Sequence, residues 1–153
     1  MGDNDIVCQA NVARYYGESP DLLEEYRRIT EGGKCPFCPE GIREKNFKVL
    51  GETDHWTIVH SQYPYKNVRL HLLAVPKRHI ISSAELSRLE WADLAAVVGI
   101  AIDNFPFLSQ GFGWGVREKE AGGVTLYHLH FHLIAPEVNC RGLAEIAVNF
   151  GIG

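Results

Sequence analysis

The segment Tyr127-His128-Leu129-His130-Phe131-His132-Leu133-Ile134 alternates imidazole and apolar side chains. Successive side chains of a β-strand point to opposite faces. As a strand, this segment places His128, His130 and His132 on one side and Leu129, Phe131 and Leu133 on the other. The apolar side packs, and the imidazoles project together into a cleft. Same-face neighbours stand roughly 6.6 Å apart. At an effective dielectric of about 20, two protonated rings at that spacing repel by about 2.5 kcal/mol, close to two pKa units. At least one ring is therefore expected to stay neutral at neutral pH, the state required of a nucleophile or a metal ligand. Taken alone, the segment also fits a solvent-facing strand or a simple metal clip.

Outward from this segment, residues 124–134 read as the last of five strands, closed by Pro136. The others are 47–50, 56–60, 70–75 and 111–117, each short, rich in β-formers and bounded by turn residues. Ser87 and Glu90 make a capping box, and Trp91, Leu94, Val98, Ala101, Ile102 and Phe105 trace one face of a helix over 88–104. Ser19-Pro20 opens a shorter amphipathic helix bearing Leu22, Leu23, Tyr26 and Ile29, which stops at Gly32-Gly33. Residues 142–150 are expected to form a small terminal helix, and residues 1–18 match no motif. Strands joined by tight turns pair antiparallel, and one long helix can cover one face. The predicted fold is therefore α+β: a five-stranded antiparallel sheet with one long helix packed on it, plus short N- and C-terminal helices. With no repeat or linker, one domain over 1–153 is expected: a helical extension (1–34), a core (35–134) and a tail (135–153).

The chain has 153 residues, 46% hydrophobic and 22% charged, which suits one sizeable core and argues against a disordered protein. Lys and Arg total 15 against 19 Asp and Glu, so the net charge of −4 lacks the broad basic footprint of an extended nucleic-acid binder. The longest apolar run, 94–102, is far shorter than the roughly 20 residues of a membrane span. The acidic residues 1–5 lack the order of a secretory signal, and Ile6 stands where a myristoylation motif has Ser or Thr. A soluble, cytoplasmic protein is expected. Among Cys8, Cys35, Cys38 and Cys140 only one pair is close in sequence, which favours reduced thiols, or a metal, over a disulfide scaffold. Gly122-Gly123-Val124-Thr125 offers backbone without Cβ atoms and a hydroxyl donor, suited to a phosphate or equally to a plain turn.

These residues resemble the histidine triad superfamily, whose signature His-φ-His-φ-His-φ-φ (φ apolar) is matched by residues 128–134. The resemblance extends to Leu70-His71-Leu72-Leu73-Ala74-Val75-Pro76-Lys77-Arg78-His79-Ile80, similar to the family's strand and Pro-Lys-x-His-Ile turn. Glu52 and Asp54 fall where members hold a ribose. The resemblance implies the histidine triad fold and a nucleotidyl hydrolase or transferase acting on an α-phosphorus, for example of a dinucleoside polyphosphate or a nucleoside phosphoramidate. His130 would be the nucleophile and form a nucleotidyl-histidine intermediate. His132 would hold a phosphate oxygen or assist proton transfer, and His128 completes the triad. Thr125 and the Gly123 backbone would supply further donors, and His60 would face the same cleft. The alternative is a nucleotide- or zinc-binding module with the same fold and little turnover. A homodimer is also implied.

Cys35-Pro36-Phe37-Cys38 looks like a glutaredoxin active site as well, but Pro39-Glu40-Gly41 is expected to break the helix that such a site opens. Zinc is preferred. Two thiolates, Cys35 and Cys38, with the imidazoles of His79 and His128 would close a tetrahedral structural site. Their long-range spacing resembles the galactose-1-phosphate uridylyltransferase branch of the superfamily and its zinc-bearing bacterial members. The competing assignment leaves His128 as an ordinary hydrogen-bonding member of the triad. The sequence departs from the family at Arg117, where many members have Asn, and at Val124, where they often have Gln. The Arg117 guanidinium is expected either to grip a polyphosphate or to be an exposed strand-end charge.

Overall fold

The computed structural model describes residues 6–151. Residues 1–5, on which the reading of the N-terminus rests, lie outside them. Helices α1 (Gln9–Tyr16), α2 (Pro20–Gly32) and α3 (Pro39–Glu44) come first, then strands β1 (Val49–Glu52), β2 (Trp56–His60) and β3 (Val68–Pro76). Helix α4 (Arg88–Asn104), β4 (Gly113–Val116) and β5 (Phe131–Pro136) follow. The five strands form one sheet in the order β1-β2-β3-β5-β4 with every pair antiparallel. β5 thus runs between β3 and β4, with His132 opposite Leu73 on one side and Gly115 on the other. Among the described residues no helix is long and apolar enough to cross a membrane.

The period-two pattern divides the sheet into two dissimilar faces. One face carries Ile58, Leu72, Leu129, Phe131 and Leu133, which pack with Leu94, Val97 and Ala101 of α4. The other carries Val59, Leu73 and Val75, covered by Tyr26, Ile29, Phe37 and Ile42 from the N-terminal helices and their connections. α4 starts where its capping box predicts: Glu90 N–H donates to Ser87 Oγ and Ser87 N–H donates to Glu90 Oε2. The Glu90 carbonyl then accepts the indole N–H of the fully buried Trp56 at 2.9 Å, so that large ring is buried without an orphaned donor. α2 also matches its signals, with Pro20 in its first turn and Gly33 at φ 61° donating its N–H back to the Ile29 carbonyl.

Three local expectations are corrected. First, β5 starts at Phe131, so His128 and His130 precede the ladder. The chain there pairs elsewhere: Leu129 N–H donates to the Ile80 carbonyl, Tyr127 N–H to Ile6, and Val7 bridges Leu126. The in–out alternation survives because Leu129 is still drawn into the α4 core. Second, residues 142–150 are not helical. The Asn139 side chain accepts the N–H groups of Arg141 and Leu143, Gly142 takes φ 74°, and Val138 bridges Ala144, so turn chemistry outcompetes a helix. Third, Pro39 opens α3 rather than breaking a helix. At the first helical position its missing N–H costs nothing, and Cys38 is the N-cap. Residues 9–16, which match no motif, form α1.

Leu133 is 1% exposed in the α4 core. Leu133→Ala is expected to destabilise the fold by about 2–5 kcal/mol, read as a lowered urea midpoint. A loss below about 1 kcal/mol would show that this face is not the principal core.

Candidate active site and metal-ligand cluster

The sheet face opposite α4 borders a cleft whose lining includes His71, His130, His132, Tyr65, Arg117 and Thr125. β5 contributes His132 and β3 contributes His71 beside it, while His130 comes from the extended lead-in to β5. The His130 and His132 ring centroids are 4.9 Å apart, closer than ideal same-face strand spacing. Burial is the main cause that holds these rings neutral: His130 and His71 are pushed down to about 4, and His132 well below the ordinary 6.5. The cation of Arg117 lowers all three further.

The hydrogen bonds assign the tautomers. His130 Nδ1 lies 2.7 Å from the His128 carbonyl. A carbonyl only accepts, so the proton is on Nδ1 and the lone pair of the neutral ring is on Nε2. A second relay sets His132. Tyr65 N–H donates to His71 Nδ1 at 3.2 Å, which leaves the His71 proton on Nε2, and that atom meets His132 Nδ1 at 2.9 Å. His132 therefore accepts at Nδ1 and carries its own proton on Nε2, a buried donor with no partner among the described residues. Tyr65 braces this ring, stacked at 5.6 Å with an interplanar angle of 18°. The site thus holds a lone pair on His130 and an unused donor on His132.

Thr125 lines the cleft, whereas Gly123 does not and lies against Tyr15 and Gly151. The Thr125 hydroxyl shares a 2.9 Å hydrogen bond with the Tyr26 hydroxyl, and Gly123 takes φ 84°. Arg117 is buried, not an exposed strand-end charge, and its Nε has no hydrogen-bond partner among the described residues. Glu52, Asp54 and His60 also stay out of the cleft lining. Glu52 and Asp54 lie at the β1–β2 turn, where Glu52 pairs with Lys77 at 3.2 Å and Asp54 borders a separate pocket with His55 and Arg78. His60 has the parity of Trp56 and Ile58, so its ring turns to the α4 side and meets Phe105 at 5.8 Å. Conversely, sequence reasoning missed His71, Tyr65 and Phe37 as site residues. The alternation Leu70-His71-Leu72 could have found His71, because its neighbours are the core-facing residues. Phe37 and Tyr65 reach the site only through tertiary packing, Phe37 lying 4.9 Å from His130.

His128 lines no part of this cleft; its ring faces the cysteines. Its Nε2 donates to the Pro76 carbonyl at 2.9 Å, leaving the lone pair on Nδ1. That Nδ1 is 3.2 Å from Cys35 Sγ and 3.8 Å from Cys38 Sγ, and His79 Nδ1 is 3.4 Å from Cys38 Sγ. All four ligand atoms lie within 4.8 Å of one another. A tetrahedral ion with metal–sulfur bonds of about 2.3 Å and metal–nitrogen bonds of about 2.0 Å needs edges of roughly 3.3–3.8 Å. The residues fit a metal. Gly41 completes the knuckle, because a Cβ there would lie 2.1 Å from the Cys35 carbonyl oxygen. Burial pushes the Cys35 thiol up, opposite to the lowered thiol of a redox cysteine.

Residues 43–139, more than half of the chain, match the HIT domain family, and the protein belongs to that family. An uncharacterized HIT-like protein of Chlamydia trachomatis serovar D is 26% identical over 112 residues, covering 71% of this chain and 88% of the relative. The fold is shared with a hypothetical histidine triad nucleotide-binding protein from Sulfolobus tokodaii, at TM-score 0.55 and 23% identity over 76% of this chain and 73% of that one. It is also shared with Plasmodium falciparum diadenosine triphosphate hydrolase in complex with cyclomarin A, at TM-score 0.53 and 18% identity over 60% and 63% of the two chains.

His130 and His71 resist protonation down to about 4 in the fold, against 6.5 ordinarily. Between these values the unfolded chain binds more protons than the native one, so stability present above pH 6.5 is lost as the pH falls through this window. The urea midpoint is expected to drop steadily from about pH 7 to about pH 4.5, and less steeply in His71→Asn. A flat or rising midpoint would contradict neutral burial.

Proposed function

We propose that the protein is a nucleotide hydrolase or nucleotidyltransferase that attacks an α-phosphorus with His130. The observation that carries this reading is the pair of fixed tautomers, with the His130 lone pair on Nε2 and the unpartnered His132 Nε2–H beside it. In the first step Nε2 donates its lone pair to phosphorus. The bond from phosphorus to the leaving group breaks, and its electron pair departs with that group. The ring becomes cationic, and its Nδ1–H stays on the His128 carbonyl, which suits the positive charge. In the second step water, or another acceptor hydroxyl, attacks phosphorus and releases its proton to solvent, and the N–P pair returns to Nε2. Two easier displacements replace one harder one. His132 Nε2–H and Thr125 would hold the non-bridging oxygens as charge develops there. His128 supplies the orienting carbonyl rather than a third cleft imidazole.

Cys35, Cys38, His79 and His128 would hold a structural zinc, whose chemistry is to cross-link the N-terminal knuckle to the segment that carries the nucleophile. Such ions stabilise small domains by about 10 kcal/mol or more.

Two measurements check this reading. His130→Ala is expected to lose on the order of a thousandfold or more in kcat on an adenylated substrate, and the wild type to yield a denaturation-trapped nucleotidyl adduct on His130. Undiminished turnover in the variant would end the assignment. The purified chain should carry near-equimolar zinc by elemental analysis, with Cys38→Ser losing most of it and a chelator lowering the Tm. A metal-free chain with an unchanged Tm in chelator would exclude the structural ion.

A further inference from the structure

Arg117 follows the last residue of β4, and because Val116 stands opposite Phe131 the register carries Arg117 alongside His130. Only 7% of it is exposed, and no carboxylate pairs with it among the described residues. Its guanidinium is held between the rings of Tyr15 and Tyr65, 5.8 and 5.9 Å from their centroids. A cation buried without a counter-charge is costly, so such a position calls for an anion. A guide to where that anion sits is already present. The Gly151 carbonyl oxygen accepts from Tyr15 OH at 2.9 Å and from Arg117 Nη1 at 3.4 Å. That oxygen lies over Gly123, where a Cβ would come within 2.4 Å of it. Two donors and a residue without a side chain thus frame a position for an acceptor oxygen, with the unused Arg117 Nε–H beside it. The strap that delivers the carbonyl is anchored by Phe150, whose ring meets His132 edge-on at 5.2 Å.

We propose that Arg117, with Tyr15 and Gly123, forms a second oxyanion subsite that takes the departing phosphate of a phosphoanhydride substrate and so sets specificity for anionic leaving groups. The assignment rests on nucleotidyl transfer by His130. When the P–O bond to such a leaving group breaks, its electron pair goes to the bridging oxygen and the departing phosphate gains one negative charge. A fixed guanidinium binds that charge more tightly as it grows, which favours the transition state. An amine leaving group departs protonated or neutral and gains nothing from Arg117. The strap and the leaving phosphate compete for the same donors, so the Gly151 carbonyl is displaced when an anhydride substrate enters.

The test compares diadenosine triphosphate with adenosine 5′-phosphoramidate on the full chain. Arg117→Gln is expected to lower kcat/KM for the triphosphate by roughly 100-fold and for the phosphoramidate by less than about 5-fold, with Arg117→Lys recovering part of the former. Tyr15→Phe, which keeps the ring, should repeat the selective loss on a smaller scale. Phe150→Ala should lower KM for the triphosphate while leaving that for the phosphoramidate unchanged. Equal losses on both substrates from Arg117→Gln and Tyr15→Phe, in variants with unchanged Tm, would overturn the subsite. An unaltered KM in Phe150→Ala would overturn the competition with the strap. If the wild type turns over neither substrate and forms no adduct, nucleotidyl transfer itself fails and the subsite with it.

Discussion

The hydrogen bond from His130 Nδ1 to the His128 carbonyl, at 2.7 Å, is the interaction on which the site depends. It decides which nitrogen of His130 bears the lone pair, and it is made by the backbone of the residue whose ring joins the cysteine cluster. His128 is therefore tied at both ring nitrogens, Nε2 on the Pro76 carbonyl and Nδ1 against the two sulfurs, while its carbonyl orients the His130 ring. Phe37, between the two cysteines, closes the arrangement by packing on the His130 ring at 4.9 Å. Metal-ligand cluster and candidate nucleophile share one short stretch of chain, so a disturbance of either shifts the other.

Burial supplies the electrostatics. Three cleft imidazoles and one guanidinium stand together, and the carboxylate among the described lining residues, Glu25, is paired with Lys45. Desolvation keeps the rings neutral, and Arg117, which no carboxylate pairs among the described residues, adds positive charge beside them. The result is a His130 lone pair that is free of protons at neutral pH, beside donors on His132 and Arg117 that have no partner among the described residues. The donors left on His132 and Arg117 suit an acceptor-only group such as the phosphate of the proposed reaction.

Residues whose role follows from local periodicity were legible in the sequence. The long helix, with its Ser87–Glu90 box, and the alternation through residues 128–134 needed no knowledge of neighbours. The pairing of Cys35 and Cys38 with His79 and His128 was also legible, through the resemblance of its spacing. Strand parity and turn placement carry other residues away from the cleft. Glu52, Asp54 and His60 were placed by analogy, but the parity of β2 sends His60 to the α4 face and the β1–β2 turn carries both acids to a separate surface. His71 was overlooked although its parity was readable.

Chain order and side-chain alternation by themselves determined that the protein is an α+β chain with an antiparallel sheet, one long covering helix and a row of imidazoles opposite the apolar core. Both are consequences of backbone geometry acting over a few residues. Tertiary structure alone decided which nitrogen of each ring is protonated, that Arg117 is buried beside His130, and that the C-terminal strap lies against the cleft. Each of these depends on a hydrogen-bond or ring contact between segments far apart in the chain, such as Pro76 with His128 or Tyr15 with Gly151. No local pattern encodes such a meeting, because it exists only after the sheet has brought its strands into register.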